Sequence, residues 1–173
     1  MQLILFGSPY LRYGVACWGA AKHTALLKIK NLQNKIIRYI TSISHGSNIH
    51  CAYRKLDVLI FDEIYFQEVV KFMHRNLNNT LPASFDEYFR PIGHQHDTRI
   101  KFTNEFSLLR PRTDLGKQSI KFNWIKIWSQ VLCGIKQISN KDSFSYQIKQ
   151  HFLNKSLETS YHKLLFTCWN QCK

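Results

Sequence analysis

Acidic residues are missing from the start of this chain: none precedes Asp57, although eight bases do. Proline, with four copies, and glycine, with seven, are scarce among 173 residues, which excludes collagen-like and low-complexity architectures. Long apolar runs are absent too. Leu3 to Phe6 spans only four residues with no basic flank before it, so it does not read as a signal-peptide core. The stretch from Leu3 to Ala21 is broken by Pro9, Arg12 and three glycines, short of the ~18 apolar residues a membrane span needs. No membrane partner is expected. The five cysteines (Cys17, Cys51, Cys133, Cys168 and Cys172) are odd in number and irregularly spaced, so they form no disulfide framework. A reducing, intracellular setting is expected, either nucleus or cytoplasm.

Several chemistries lack their residues. The glycines form neither G-x-G-x-x-G nor G-x-x-x-x-G-K, so no phosphate-cradling loop is present. No Asp-Asp pair exists to hold the two cations of phosphoryl transfer, and no G-x-S-x-G signature marks a nucleophile. His94 with His96, Cys168 with Cys172, and His50-Cys51 are half-sites without the doubled spacing of structural zinc. No catalytic residue, metal or cofactor is therefore expected, and the chain is not read as an enzyme by itself.

What is present is enough apolar sequence to fold, 45% hydrophobic with 14% aromatic, and a formal net charge of +13. Such an excess costs self-repulsion unless a polyanion or an acidic surface absorbs it. The charge is unevenly placed. Residues 57 to 87 carry six acids and two bases, and residues 88 to 173 carry fourteen bases and five acids. Two basic surfaces on either side of an acidic helix are expected, and nucleic acid is the first partner class they suggest.

Periodicity predicts a mainly α fold. Leu26, Ile29, Leu32, Ile36, Ile40 and Ile43 recur every three or four positions, which places Lys28, Asn31, Lys35 and Arg38 on the opposite face as a basic ridge. Gly46 is expected to supply the left-handed stop. A second amphipathic helix is read over 63 to 77, capped by Asp62, with its acids at the helix end and surface. Its Lys71, His74 and Arg75 suit the negative end of the helix dipole. A turn over 76 to 82 and a short aromatic helix at Phe85, Tyr88 and Phe89 follow. Residues 91 to 125 are expected to be extended and basic, with Arg99, Arg110, Arg112, Lys117 and Lys121 preceding Phe122, Trp124 and Trp128. Bases interleaved with aromatics suit backbone neutralisation and stacking, although tryptophans more commonly pack into cores. The C-terminal helical region is placed at 126 to 153, centred on Phe144, Ile148, Phe152 and Leu153, with an unassigned tail over 154 to 173 in which a further helix is read between Leu157 and Trp169.

The order of short motifs carries a resemblance. Leu11-x-Tyr13-Gly14, Trp18-Gly19 and Leu32-Gln33-Asn34-Lys35-x-Ile37-Arg38-x-Ile40-Thr41 are followed by Leu56, Leu59, Asp62, Tyr65 and Phe72-Met73. Asn79-x-Leu81-Pro82-x-x-Phe85-x-x-Tyr88-Phe89, His96-x-Thr98-Arg99, Arg110-x-Arg112-Thr113, Gly116-x-x-Ser119-Ile120, Lys126-Ile127-Trp128 and Ser143-Phe144 come next. Over roughly residues 3 to 153 this resembles the region after the catalytic palm in reverse transcriptases of non-LTR retrotransposons, of the jockey-like or LINE type. The resemblance implies a helical thumb over 1 to 90 that grips primer-template duplex, RNA–DNA hybrid or duplex DNA, without sequence preference. It assigns nucleic-acid contact to Lys28, Lys35 and Arg38, packing to Trp128, and a missing polymerase palm as a further partner. Fingers, palm and endonuclease do not occur in the chain, so the resemblance implies a noncatalytic C-terminal fragment or a decayed element copy starting at its own Met1. The alternative is a basic protein-interaction module.

Overall fold

The computed structural model describes residues 9–44, 46–85, 88–89, 106 and 111–155. The fold is mainly α, and among the described residues no strand forms. After a helical turn at 9–12 come α1 (Val15–Trp18), α2 (His23–Thr41), α3 (His50–Lys55) and α4 (Phe61–Leu77). A 3-10 turn at Ala83–Phe85 leads to the second half, α5 (Asp114–Gln118), α6 (Ile120–Ser129), α7 (Cys133–Lys136) and α8 (Lys141–Lys155).

Helix α4 is the axis of the fold. Phe61, Ile64, Tyr65, Val69, Val70 and Met73 bury an apolar surface wider than one stripe, and α1, α6 and α8 all lie against it. A helix apolar over most of its circumference has to be enclosed. The main core accordingly runs from Val15 and Leu26 through α4 to Trp124, Trp128, Phe144 and Phe152. Trp128 is a packing residue, as the resemblance implied. A smaller cluster of Ile37, Ala52 and Tyr53 joins the end of α2 to α3. The Tyr53 hydroxyl donates to Asn34 Oδ1 at 2.9 Å, and burial, with Glu63 nearby, raises its pKa.

Glycine matters at two places. Gly14 takes a left-handed φ of 62° before α1. Gly19 lies so close to Tyr65 that an added Cβ would sit 2.3 Å from its ring. Tyr65 in turn accepts a hydrogen bond from Asn123 Nδ2 at 2.9 Å, and burial pushes its pKa up to about 12.

Several expectations need correction. The stop of α2 is Ser42, at φ 52°, with its N–H on Arg38 O; Gly46 stands in open space beyond it. The buried face of α2 is rotated from the isoleucine stripe: Gln33 is inside because its Nε2 donates to Leu59 O at 3.0 Å, while Leu32 is 59% exposed. Asp62 is not the cap of α4. That position is Ile60, whose N–H donates to Glu63 Oε2 at 3.1 Å. The extended segment over 91 to 125 also fails where it is described. Thr113 accepts from Gly116 N and starts α5, and Ile120, Trp124, Ile127 and Trp128 then follow helical spacing. Of the aromatic helix read at 85–89, the described residues show the end of a 3-10 turn at Phe85, and Phe89 packs face to face with Trp124 at 6.1 Å. The C-terminal helix extends to both sides of the expected core positions, and the helix read within 157 to 169 lies outside the described residues.

Candidate nucleic-acid interface

Charge pairing decides which bases remain available. The acids of α4 are not a separate surface between two basic ones. Asp62 pairs with Lys30 at 2.7 Å, Glu63 with Arg54 at 2.6 Å, and Glu68 with both Arg12 and Lys71. The acid-free N-terminal segment therefore supplies counter-charges, Arg12, Lys30 and Arg54, for the acids of α4. Asp57, at a left-handed φ of 53°, pairs with Lys149 of α8, and Asp114 with Lys117 at 3.0 Å.

Glu63 is the deepest of these groups, only 2% exposed. Burial pushes its pKa above the ordinary 4.5, against the lowering effect of the Arg54 guanidinium and the Ile60 N–H. The neighbouring Asp62 raises it a little further, and Asp62 is itself paired with Lys30. Among the described residues no group of three metal-ligating side chains forms. His94, His96, Cys168 and Cys172 lie outside those residues, while Cys17, Cys51 and Cys133 are free thiols at the surface.

With the pairs assigned, the sequence-derived contact residues separate into groups. Lys28 and Lys35 stand exposed on the outer face of α2 and carry no ion pair among the described residues. They are two turns apart, about 10 Å along the axis. Leu32 and Tyr39, the latter 80% exposed, share that face, each four residues after one of the lysines. Arg38 leaves the ridge: its guanidinium donates to Ser44 O and, at 3.2 Å, to Ser47 O, closing the loop after α2. Lys121 lies over the Tyr88 ring at 4.7 Å. Arg112 is exposed beside the α5 cap. Arg99 and Arg110 lie outside the described residues. The structure thus joins Lys28 and Lys35 on one helix and brings Lys121 to an aromatic partner, without collecting the described bases into one groove.

The sequence reading missed a second basic place. A cleft of about 350 Å³ lies between α4, the turn at 9–12 and the start of α8, and Arg12, Lys71, Arg75 and Lys141 line it with Glu68. Its bases come from positions 12, 71, 75 and 141, a convergence that no local spacing reveals. No helix is long and apolar enough to cross a membrane among the described residues. Compared with known proteins, the chain matches no family model, no curated protein and no solved structure.

Proposed function

We propose that the chain is a noncatalytic nucleic-acid-binding module that holds duplex or hybrid through its phosphates, in the manner of the reverse-transcriptase thumb it resembles in sequence. The observation that carries this reading is the charge assignment on α2. Lys30 is consumed by Asp62 and Arg38 by the following loop, which leaves Lys28 and Lys35 outward-facing on a helix with no acidic residue of its own. Their spacing of about 10 Å is close to the rise of three base steps, ~3.4 Å each, along the duplex axis. Two flexible lysine stems at that separation can neutralise two phosphates of the same strand without reading a base edge. Contacts of this kind are tolerant of sequence and weaken steeply with salt.

The test is fluorescence anisotropy with a labelled hybrid and a labelled duplex across a salt series. Lys28→Gln/Lys35→Gln should reduce the slope of log affinity against log salt by about two, one for each phosphate that no longer meets a cation. Arg38 is left intact because its loss would loosen the loop. An unchanged slope would overturn the reading.

The exposed Leu32 and Tyr39 favour a second reading, in which the same face docks an acidic protein surface and oligonucleotide binding is incidental. Leu32→Ala/Tyr39→Ala separates the two. Phosphate-driven binding keeps its salt slope in that variant, whereas a docked protein partner is lost.

A further inference from the structure

Four cations converge on one cleft from three separate parts of the chain. Arg12 comes from the turn at 9–12, Lys71 and Arg75 from successive turns of α4, and Lys141 from the first residue of α8. Glu68 is the acid among the lining residues, and it is already shared between Arg12 and Lys71. Arg12 also donates to Gln67 Oε1 at 2.8 Å. Arg75 and Lys141 carry no ion pair among the described residues.

The dipole of α4 accounts for Lys71 and Arg75 near its C-terminal end. It does not account for Arg12 and Lys141, which belong to other elements and are brought there by the tertiary fold. Gathering like charges around one cleft costs folding free energy unless an anion enters. The polar groups behind the cations are meanwhile occupied. His74 Nε2 lies 2.6 Å from Ile138 O, and its ring stacks on Phe144 at 3.9 Å. Two amides in the first turn of α8 are bonded to Asn140 Oδ1, at 2.9 Å for Asp142 N and 3.1 Å for Ser143 N, so these two are not offered to an incoming anion. The Glu68 carboxylate, satisfied by two bases, orients Arg12 and Lys71 without neutralising the other two.

We propose that this cleft binds the phosphate monoester group of a ligand. A dianion calls for more than one cation at once, and the guanidinium of Arg75 can offer a forked pair of donors beside the point charge of Lys141. The volume of about 350 Å³ falls in the range of small-ligand sites, roughly 300–1,000 Å³. Two sources present this chemistry, a free phosphomonoester and the terminal phosphate of an oligonucleotide. The cleft does not use the outer face of α2, so its occupancy is independent of the phosphate-tracking contacts proposed there.

The test uses the full chain, titrated by calorimetry with inorganic phosphate, with a nucleoside 5′-monophosphate against the bare nucleoside, and with a short oligonucleotide bearing either a 5′-phosphate or a 5′-hydroxyl. Arg75 and Lys141 are exposed, so Arg75→Gln/Lys141→Gln should retain the fold. Its affinity for the phosphorylated probes should fall about tenfold or more, while Lys28→Gln/Lys35→Gln leaves the affinity for inorganic phosphate and the monophosphate unchanged, together with the ratio between 5′-phosphorylated and 5′-hydroxyl oligonucleotide. Saturable binding of inorganic phosphate and the monophosphate identifies a free phosphomonoester as the source; a gain confined to the 5′-phosphorylated oligonucleotide identifies a nucleic-acid end. Equal affinity for phosphorylated and unphosphorylated probes, or no loss in Arg75→Gln/Lys141→Gln, overturns the inference. Because the α2 variant is read in the same titrations, failure here is distinguishable from failure of the proposed function.

Discussion

Replacing Arg54 by Met removes the counter-charge of a carboxylate with 2% of its surface in water, at an ion pair only 2.6 Å long. Breaking a buried pair from one side typically costs about 3–5 kcal/mol, because the remaining charge stays desolvated. Glu63 has a partial escape, since burial already pushes its pKa above 4.5 and loss of the lowering effect of Arg54 pushes it further. Protonation then limits the penalty, which places the expected cost at the lower end, about 3 kcal/mol near neutral pH. A carboxyl with a raised folded-state pKa contributes stability that is fully present below its unfolded value and is lost as pH rises through its folded value. The deficit of Arg54→Met against wild type should therefore be largest near neutrality and shrink as pH falls toward 4.5. Urea unfolding followed by circular dichroism measures it. With a slope of about 2 kcal/mol per molar, the midpoint near pH 7 should drop by about 1.5 M. Arg54 Nη1 is buried with no hydrogen-bond partner among the described residues, so removing both ends should relieve a cost as well as a contact. Arg54→Met/Glu63→Leu is accordingly expected within about 1 kcal/mol of wild type. A deficit independent of pH, or a double variant no better than Arg54→Met, would refute this account of the pair.

Gly19→Ala should be costly, since the new Cβ would fall 2.3 Å from Tyr65 Cδ2 and 2.5 Å from Val15 O. A loss of about 2–3 kcal/mol in thermal or urea unfolding is expected from overpacking of this kind. Ser42→Gly relieves a φ of 52° at the end of α2 and should stabilise by up to about 1 kcal/mol, seen as a rise in melting temperature.

The two long helices before residue 80 were legible because their apolar spacing is local. Leu26 is buried as the stripe on α2 demands, whereas Ile37 is buried beside the predicted Ile36, on the rotated face. Gln33 was invisible to that pattern: it is inside only because Leu59, far along the chain, presents a carbonyl to it. The same distinction governs the charges. The counts put the acids on α4 but expected them at its end and surface, whereas Glu63 is buried, and which base each acid meets is decided by folding, through Arg12, Lys30 and Arg54. The helices α5 and α6 had readable signals, a Thr113 cap and tryptophans four residues apart, that were outweighed by the basic composition around them. Lys28 and Lys35 were exposed as the wheel required, whereas the use of Arg38 on the loop and the convergence of Arg12, Lys71, Arg75 and Lys141 depend on tertiary contacts.

The enclosure of α4 also bears on how the chain comes off a ribosome. Its neighbours α1 and α2 are made first, but α6 and α8, which cover its other sides, end at residues 129 and 155. At about 5–20 residues per second, the helix is complete for several seconds before α8 exists. During that interval Tyr65, Val69 and Met73 lack the part of their covering that α6 and α8 supply, and His74 lacks the Phe144 ring against which it stacks. The nascent chain thus exposes a sticky helix until α8 is translated, which makes α6 and α8 a covering that the earlier helices must wait for.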